Sequence, residues 1–167
     1  AGTVLHSHVS IASGVSVGRD CVMHSHVCIG EDGFGIAPDA DARTFRIPHL
    51  GGVRISDRVS LGNHTVVHAG TLDPTVLEDG VMTDAHVYIA HNAHVGTDCQ
   101  IAAGARLCGS VTLDARAWVG PNATIHQGLH VGQGTVIGMG AVVLAPLPAG
   151  VIAAGVPARI LHDVPPE

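Results

Sequence analysis

The fold class this sequence predicts is all-β, a parallel β-helix wound from six-residue steps. Three observations predict it. An aliphatic residue returns at every sixth position over most of the chain, and a small residue returns four places after it. Aromatic residues, which help to fill most globular cores, make up only 2% of the sequence. Neither the 3.6-residue period of a helix nor the two-residue alternation of a strand produces a repeat of six. A right-handed β-helix or a β-sandwich fits so regular a register less well.

The first series runs Leu5, Ile11, Val17, Met23 and Ile29, followed at the fourth offset by Val9, Val15, Cys21, Val27 and Gly33. It resumes at Ile55, Leu61 and Val67, breaks again over Asp73–Val76, and restarts at Leu77. The last run continues through Thr83, Ile89, Val95, Ile101, Leu107, Leu113, Val119, Ile125, Val131 and Ile137. Each hexad predicts one short strand and its turn, and three hexads close a triangular coil of eighteen residues. The aliphatic residue points into the prism and the small one fits beside a corner. Glycine directly after the aliphatic residue, as at Gly18, Gly62, Gly96 and Gly120, predicts turn geometry that a Cβ would strain. The domain reading is a solenoid over 1–145, a loop excursion at 35–54 and a C-terminal tail over 146–167. An excursion that long from a regular scaffold predicts a binding element.

Composition narrows the function. The net charge is −6 and there is no lysine, so the basic clusters of a nucleic-acid binder are missing. Cys21, Cys28, Cys99 and Cys108 show no C-x-x-C spacing, and a reduced, intracellular protein is expected. The uncharged stretch Ala141–Ala158 holds Pro146, Pro148 and Pro157, which argues against a membrane-spanning helix. No signal-peptide pattern opens the sequence. A soluble, cytoplasmic protein with no membrane span is the expectation.

Several segments carry a family resemblance. They are Gly30-Glu31-Asp32-Gly33-Phe34-Gly35, Arg46-Ile47-Pro48-His49-Leu50-Gly51, Thr71-Leu72-Asp73-Pro74-Thr75-Val76, Ile89-Ala90-His91-Asn92 and Gly109-Ser110. With the hexads, they resemble the left-handed β-helix acyltransferases, and among these the UDP-3-O-acylglucosamine N-acyltransferases of lipid A synthesis. The resemblance implies a left-handed coil, a homotrimer, and transfer of an acyl group from a CoA or acyl-carrier-protein thioester to an amino sugar or sugar nucleotide. It also implies His91 as general base and an amide at Gly109 as oxyanion donor. The departures are specific. His68-Ala69-Gly70 stands where that family usually has Asp-Arg-Gly, and Gly128, with His126 nearby, stands where it has a second histidine. The family's uracil-stacking N-terminal domain and C-terminal helical extension are not among these residues. The tail Gly155-Val156-Pro157-Ala158-Arg159 is instead similar to acetyl-CoA-dependent sugar acetyltransferases, which favours acetyl-CoA and implies that Gly155, Pro157 and Arg159 border the donor.

The residues support this chemistry on their own terms. Acyl transfer needs a base for the attacking amine or hydroxyl and hydrogen-bond donors for the tetrahedral oxyanion. His91 lies two places past the inward Ile89 and so faces outward; one coil later the same hexad position holds Gly109. Rungs of a parallel sheet lie about 4.8 Å apart, which brings that glycine within reach of the imidazole. Asp32, Phe34, Arg46, His49 and Asn92 are candidates for the acceptor pocket, although Phe34 and Phe45 equally suit sealing one side of the prism. Two other classes stay open. His86 and His91, with His64 stacked beneath His86, suggest a zinc hydratase of the γ-carbonic-anhydrase kind, against which the acyltransferase motifs argue for no metal. A non-catalytic solenoid binding module would leave His91 as one of thirteen ordinary histidines.

Overall fold

A computed structural model describes residues 1–165; Pro166 and Glu167, the end of the predicted tail, lie outside the described residues. The chain winds as a left-handed parallel β-helix of three faces, most of its strands only two residues long. The first face is a nine-stranded sheet that begins with Val4–Leu5 and Val22–Met23 and includes Met82–Thr83 and Gln100–Ile101. The second face has seven strands, among them Val66–Val67, Tyr88–Ile89 and Arg106–Leu107. The third has six, among them Val53–Ile55, Thr75–Leu77 and His94–Val95. Partners such as Tyr88 and Arg106 are eighteen residues apart, so each rung lies directly on the one before it.

The periodic aliphatic residues fill the prism. Ile29, Leu61, Leu77, Ile89, Leu107, Ile125 and Ile137 are completely inaccessible to solvent, and so are the small partners Val81, Cys99, Ala105 and Ala141. Thr83 stands in an aliphatic position, paired with Leu61 of the coil below, where it meets the buried Thr65. Its hydroxyl lies 3.1 Å from that of Thr65 and accepts from the Gly62 N–H at 3.0 Å. The first coil is open, with Leu5 53% and Ile11 39% exposed.

The glycine rule works differently from the sequence expectation. Gly30 has the positive φ expected, 92°, but Gly18, Gly62, Gly96 and Gly120 do not. A Cβ on Gly62 would lie 2.5 Å from the carbonyl carbon of Asp84 in the next coil, so the constraint is the close approach of a neighbouring rung. The left-handed residue comes two places later, and His, Asn and Asp, which tolerate that region, often fill it. His8, His26, His64 and His86 have φ between 58° and 65°, and their rings stack in one column at 4.7–4.9 Å.

Two boundaries shift. The strand Val53–Ile55 already belongs to the third face, where Val53 pairs with Val15, so the excursion has ended before Arg54. The solenoid also continues past residue 145. Leu147 bridges to Val131, the strand Val151–Gly155 runs parallel to Val136–Ile137, and Val151 and Ala153 are buried. The strand Ala158–Asp163 then folds back antiparallel as the final edge. No helix is long and apolar enough to cross a membrane.

The third face carries histidine–carboxylate hydrogen bonds between rungs. His94 Nε2 donates to Glu78 Oε1 at 2.8 Å, and Glu78 Oε2 accepts from Thr97 N at 3.0 Å and Thr97 Oγ1 at 2.8 Å. These bonds, His94's first and then Thr97's, hold the Glu78 carboxyl below its ordinary value.

Leu113→Ala, at a position 1% exposed, is expected to cost about 2–5 kcal/mol in urea unfolding. Because the folded carboxyl of Glu78 titrates below its unfolded value near 4.5, its contribution is present above that pH and is lost as pH falls through the folded value. The side chain is 40% exposed, so Glu78→Gln should cost less than about 1 kcal/mol at pH 7. Unfolding curves of parent and variant should converge below the carboxylate range.

Candidate functional site

Both interruptions of the hexad series fall at one corner, between the second and third faces. On the second face Cys28 pairs with Val66, 38 positions on, and Val66 with Tyr88, 22 on, where uninterrupted rungs are 18 apart. The extra twenty and four residues leave the coil here. The longer segment forms a hairpin of Ile36–Pro38 against Thr44–Arg46. Its base is tied down by Ala69 N donating to Glu31 O at 3.0 Å, Leu50 N to Thr71 O at 2.8 Å and Gly51 N to Gly70 O at 2.8 Å.

On the coils directly above, the same corner carries Ala90-His91-Asn92 and then Cys108-Gly109-Ser110. The half-buried His91 ring lies over Gly109: a Cβ on Gly109 would fall 2.6 Å from His91 Cε1 and 2.7 Å from Nε2. Glycine is therefore required by the imidazole itself. Ser110 N donates to His91 O at 2.9 Å and locks the two turns together, while the Gly109 N–H has no backbone acceptor among the described residues.

Asn92 sets the proton on His91. Its Oδ1 accepts from Thr71 N at 3.2 Å and Thr71 Oγ1 at 3.1 Å, and its Nδ2 donates to Asp73 O at 2.9 Å. An amide N–H can only donate and a carbonyl can only accept, so the Asn92 amide has one possible orientation. His91 Nδ1, 3.1 Å from Oδ1, must then donate to it. The proton sits on Nδ1, and Nε2, the nitrogen facing Gly109, keeps a free lone pair. Asn92 is itself a left-handed corner residue, φ 58°, held further by its N–H donating to Thr75 Oγ1 at 2.9 Å.

A cleft of about 210 Å³ opens beside this pair, lined by Phe34, Tyr88, Ala90, His91, Cys108, Gly109 and Gln127. Phe34, 68% exposed, reaches it from the excursion, with the Arg46 guanidinium 5.6 Å from its ring centre. Arg46 also donates to Gly33 O at 3.3 Å. Asp32 Oδ1 accepts from His49 N at 3.1 Å. Of the predicted pocket residues, His49 is behind the cleft, its side chain without solvent exposure, and Asn92 serves His91. Gly155, Pro157 and Arg159 are not brought to His91 within one chain. Their hairpin adds the fourth and fifth rungs of the first face above the His91 coil, from about 19 Å along the axis.

Sequence reasoning missed Tyr88, Cys108 and Gln127. Register arithmetic could have found them: Cys108 is one coil above Ala90, Gln127 one coil above Gly109, and Tyr88 precedes the inward Ile89. Asp73 lies in the four-residue break, which no period places, and Thr71 lies just before it. Burial pushes the Cys108 thiol up, and burial and then the neighbouring Cys108 push the Tyr88 phenol up, so both are neutral at pH 7. His86 spends its ring on the histidine column, and no group of three His, Cys, Asp or Glu able to hold a metal ion occurs among the described residues.

Residues 74–109 match the bacterial transferase hexapeptide (six repeats) family. UDP-3-O-acylglucosamine N-acyltransferase of Bordetella pertussis is 35% identical over 144 residues, covering 84% of this chain and 40% of the relative. The Delftia acidovorans protein of the same name is 42% identical over 120 residues, covering 68% of this chain and 36% of the relative. The chain thus spans about two-fifths of the length of the curated relatives it matches. Among solved structures, a UDP-N-acetylglucosamine acyltransferase superposes with a TM-score of 0.87 over 97% of this chain and 61% of that one, at 19% identity. The acetyltransferase domain of PglB from Neisseria gonorrhoeae, in complex with acetyl coenzyme A, gives 0.51 over 96% of this chain and 58% of that one, also at 19% identity. These likenesses show the fold.

The thiols provide a check on the site's burial. Burial pushes Cys99 up to about 11, which leaves a thiolate fraction of about 0.1% at pH 8. Iodoacetamide at pH 8 should leave Cys99 unmodified in the folded protein and label Cys108 slowly, with both becoming fast in urea. Peptide mass spectrometry reads the order.

Proposed function

We propose that this chain, which belongs to the hexapeptide-repeat transferases, moves an acyl group from a thioester to the amine of an amino sugar carried on a nucleotide. The observation that carries the reading is the bare Nε2 of His91, fixed in that state by Asn92 and set over Gly109. The names of the curated relatives support an acylated UDP-glucosamine as the kind of acceptor.

The acceptor amine attacks the thioester carbonyl while His91 Nε2 takes its proton. The carbonyl oxygen becomes the oxyanion, and the unpartnered Gly109 N–H is the donor best placed for it. Collapse of the tetrahedral intermediate forms the amide and breaks the carbon–sulfur bond. The imidazolium returns its proton to the departing thiolate, and His91 is neutral again. Phe34, Tyr88 and Arg46 supply flat and cationic surface for the acceptor, and Asp32 holds the base of the excursion.

The donor in this reading is acetyl-CoA, a longer acyl-CoA or an acyl-carrier protein. Its pantetheine arm runs along the prism from His91 toward Gly155, Pro157 and Arg159, whose hairpin lies further along the same axis. A homotrimer and a cytoplasmic location belong to the same proposal.

His91→Ala should lower acyl transfer by a factor on the order of 10²–10⁴ with the unfolding curve unchanged. The assay pairs acetyl-CoA and longer acyl thioesters with a panel of UDP-amino sugars and detects the released thiol. Turnover in His91→Ala within a factor of about two of the parent would remove the base from the mechanism.

A further inference from the structure

We infer that His49 is a positioning residue that stabilises the positive charge His91 acquires when it takes the acceptor's proton. The inference rests on the acyl-transfer reading for its purpose, though not for its test. His49 Nδ1 lies 2.9 Å from Ile47 O, and since a carbonyl only accepts, the proton is on Nδ1. Nε2 is therefore a lone pair. It is buried, with no hydrogen-bond partner among the described residues, and its side chain has no solvent exposure. A buried acceptor left unpaired destabilises the resting fold and asks for a reason.

The geometry supplies one. The rings of His49 and His91 meet edge to face, their centres 5.3 Å apart at 66°. His49 Nε2 and His91 Cδ2 both lie 3.2 Å from the point a Gly33 Cβ would occupy, so the lone-pair edge of one ring and the carbon edge of the other converge on the same bare glycine. While His91 is neutral, that lone pair faces an almost apolar edge and gains little. Once His91 is an imidazolium, its ring atoms carry positive charge, and the negative end of the His49 dipole faces it from a buried side chain. The interaction strengthens as the proton moves, which is the condition for aiding the step rather than the resting state.

The groups around the pair favour this arrangement. From the excursion, the Asp32 carboxylate lies 3.9 Å from His49 Nδ1 and draws that proton outward, which enriches Nε2. Arg46 is turned to Phe34 and to Gly33 O. From the second face, Tyr88 and Cys108 are uncharged at neutral pH, and from the corner Asn92 is neutral. The one anion among these groups, Asp32, faces the Nδ1 side of His49 and is half exposed, so a properly aimed dipole has an effect to exert.

The test replaces the ring's nitrogen and its shape separately. His49→Phe keeps an aromatic ring without the lone pair, and His49→Gln keeps an acceptor without the ring. The His91 ring is followed by NMR titration in the protein without substrate, beside kcat and KM across pH. In His49→Phe the His91 midpoint should move to lower pH by about half to one unit. kcat should fall about tenfold, with KM nearly unchanged. His49→Gln should stay close to the parent in both. An unmoved His91 midpoint in a folded His49→Phe overturns the inference, as does equal loss in both variants, which would reduce His49 to a prop for the loop. If His49→Phe does not fold, Asp32→Asn should move the midpoint the same way by less, and no movement there is equally fatal. A shifted midpoint with no thioester turnover on any acceptor would leave the His49–His91 link standing and defeat the transfer reading alone.

Discussion

One constraint shapes the molecule: each face of each coil has room inside the prism for one large aliphatic side chain and one smaller partner. With the interior filled in that way, the corners must close in six residues and every rung must sit on the last without drift. Thr65 and Thr83 show how strictly this holds, since their hydroxyls enter the interior as a hydrogen-bonded pair, 3.1 Å apart. Exact repetition has a chemical consequence. A residue on one corner is always about 4.8 Å from its equivalent on the next coil, so a column of corner positions is a ruler along which reacting groups can be spaced.

That ruler produces inert and reactive histidines by the same rule. His8, His26, His64 and His86 occupy left-handed corner positions on neighbouring coils, and their rings fill the spacing by stacking on each other. His91 sits one place earlier in its hexad, and the next coil presents Gly109 instead of another ring. The difference between a structural imidazole and a base is what the following rung places above it. A side chain at residue 109 would push His91 out of position before it affected any ligand.

This also explains how much could be read from the sequence. The period of six dictated the prism, the inward residues and the pairing of His91 with Gly109, because each depends on counting alone. The solenoid's end was harder to see: Pro146 and Pro148 mask the hexad, although Leu147, Val151 and Ala153 still fill the interior. The excursion has no period, so nothing in the sequence could say that it returns across its own corner to press His49 on His91. Asn92 reads from sequence as a pocket residue because its amide orientation depends on Thr71 and Asp73, which lie at and just before the shorter break.

The division of labour follows from where the irregular residues sit. A prism of flat faces holds atoms precisely but offers no concavity, and loops offer concavity with less precision. Here the regular rungs hold the His91 backbone and the bare Gly109, while the two interruptions at the same corner build the cleft. They also govern the base itself. The short break fixes which nitrogen of His91 carries the proton, through Asn92, and the long one buries an unpaired ring nitrogen against it, through His49. The position of the base is thus a property of the repeat, and its protonation is a property of the departures from the repeat. A change in either loop can retune the chemistry without moving a single rung.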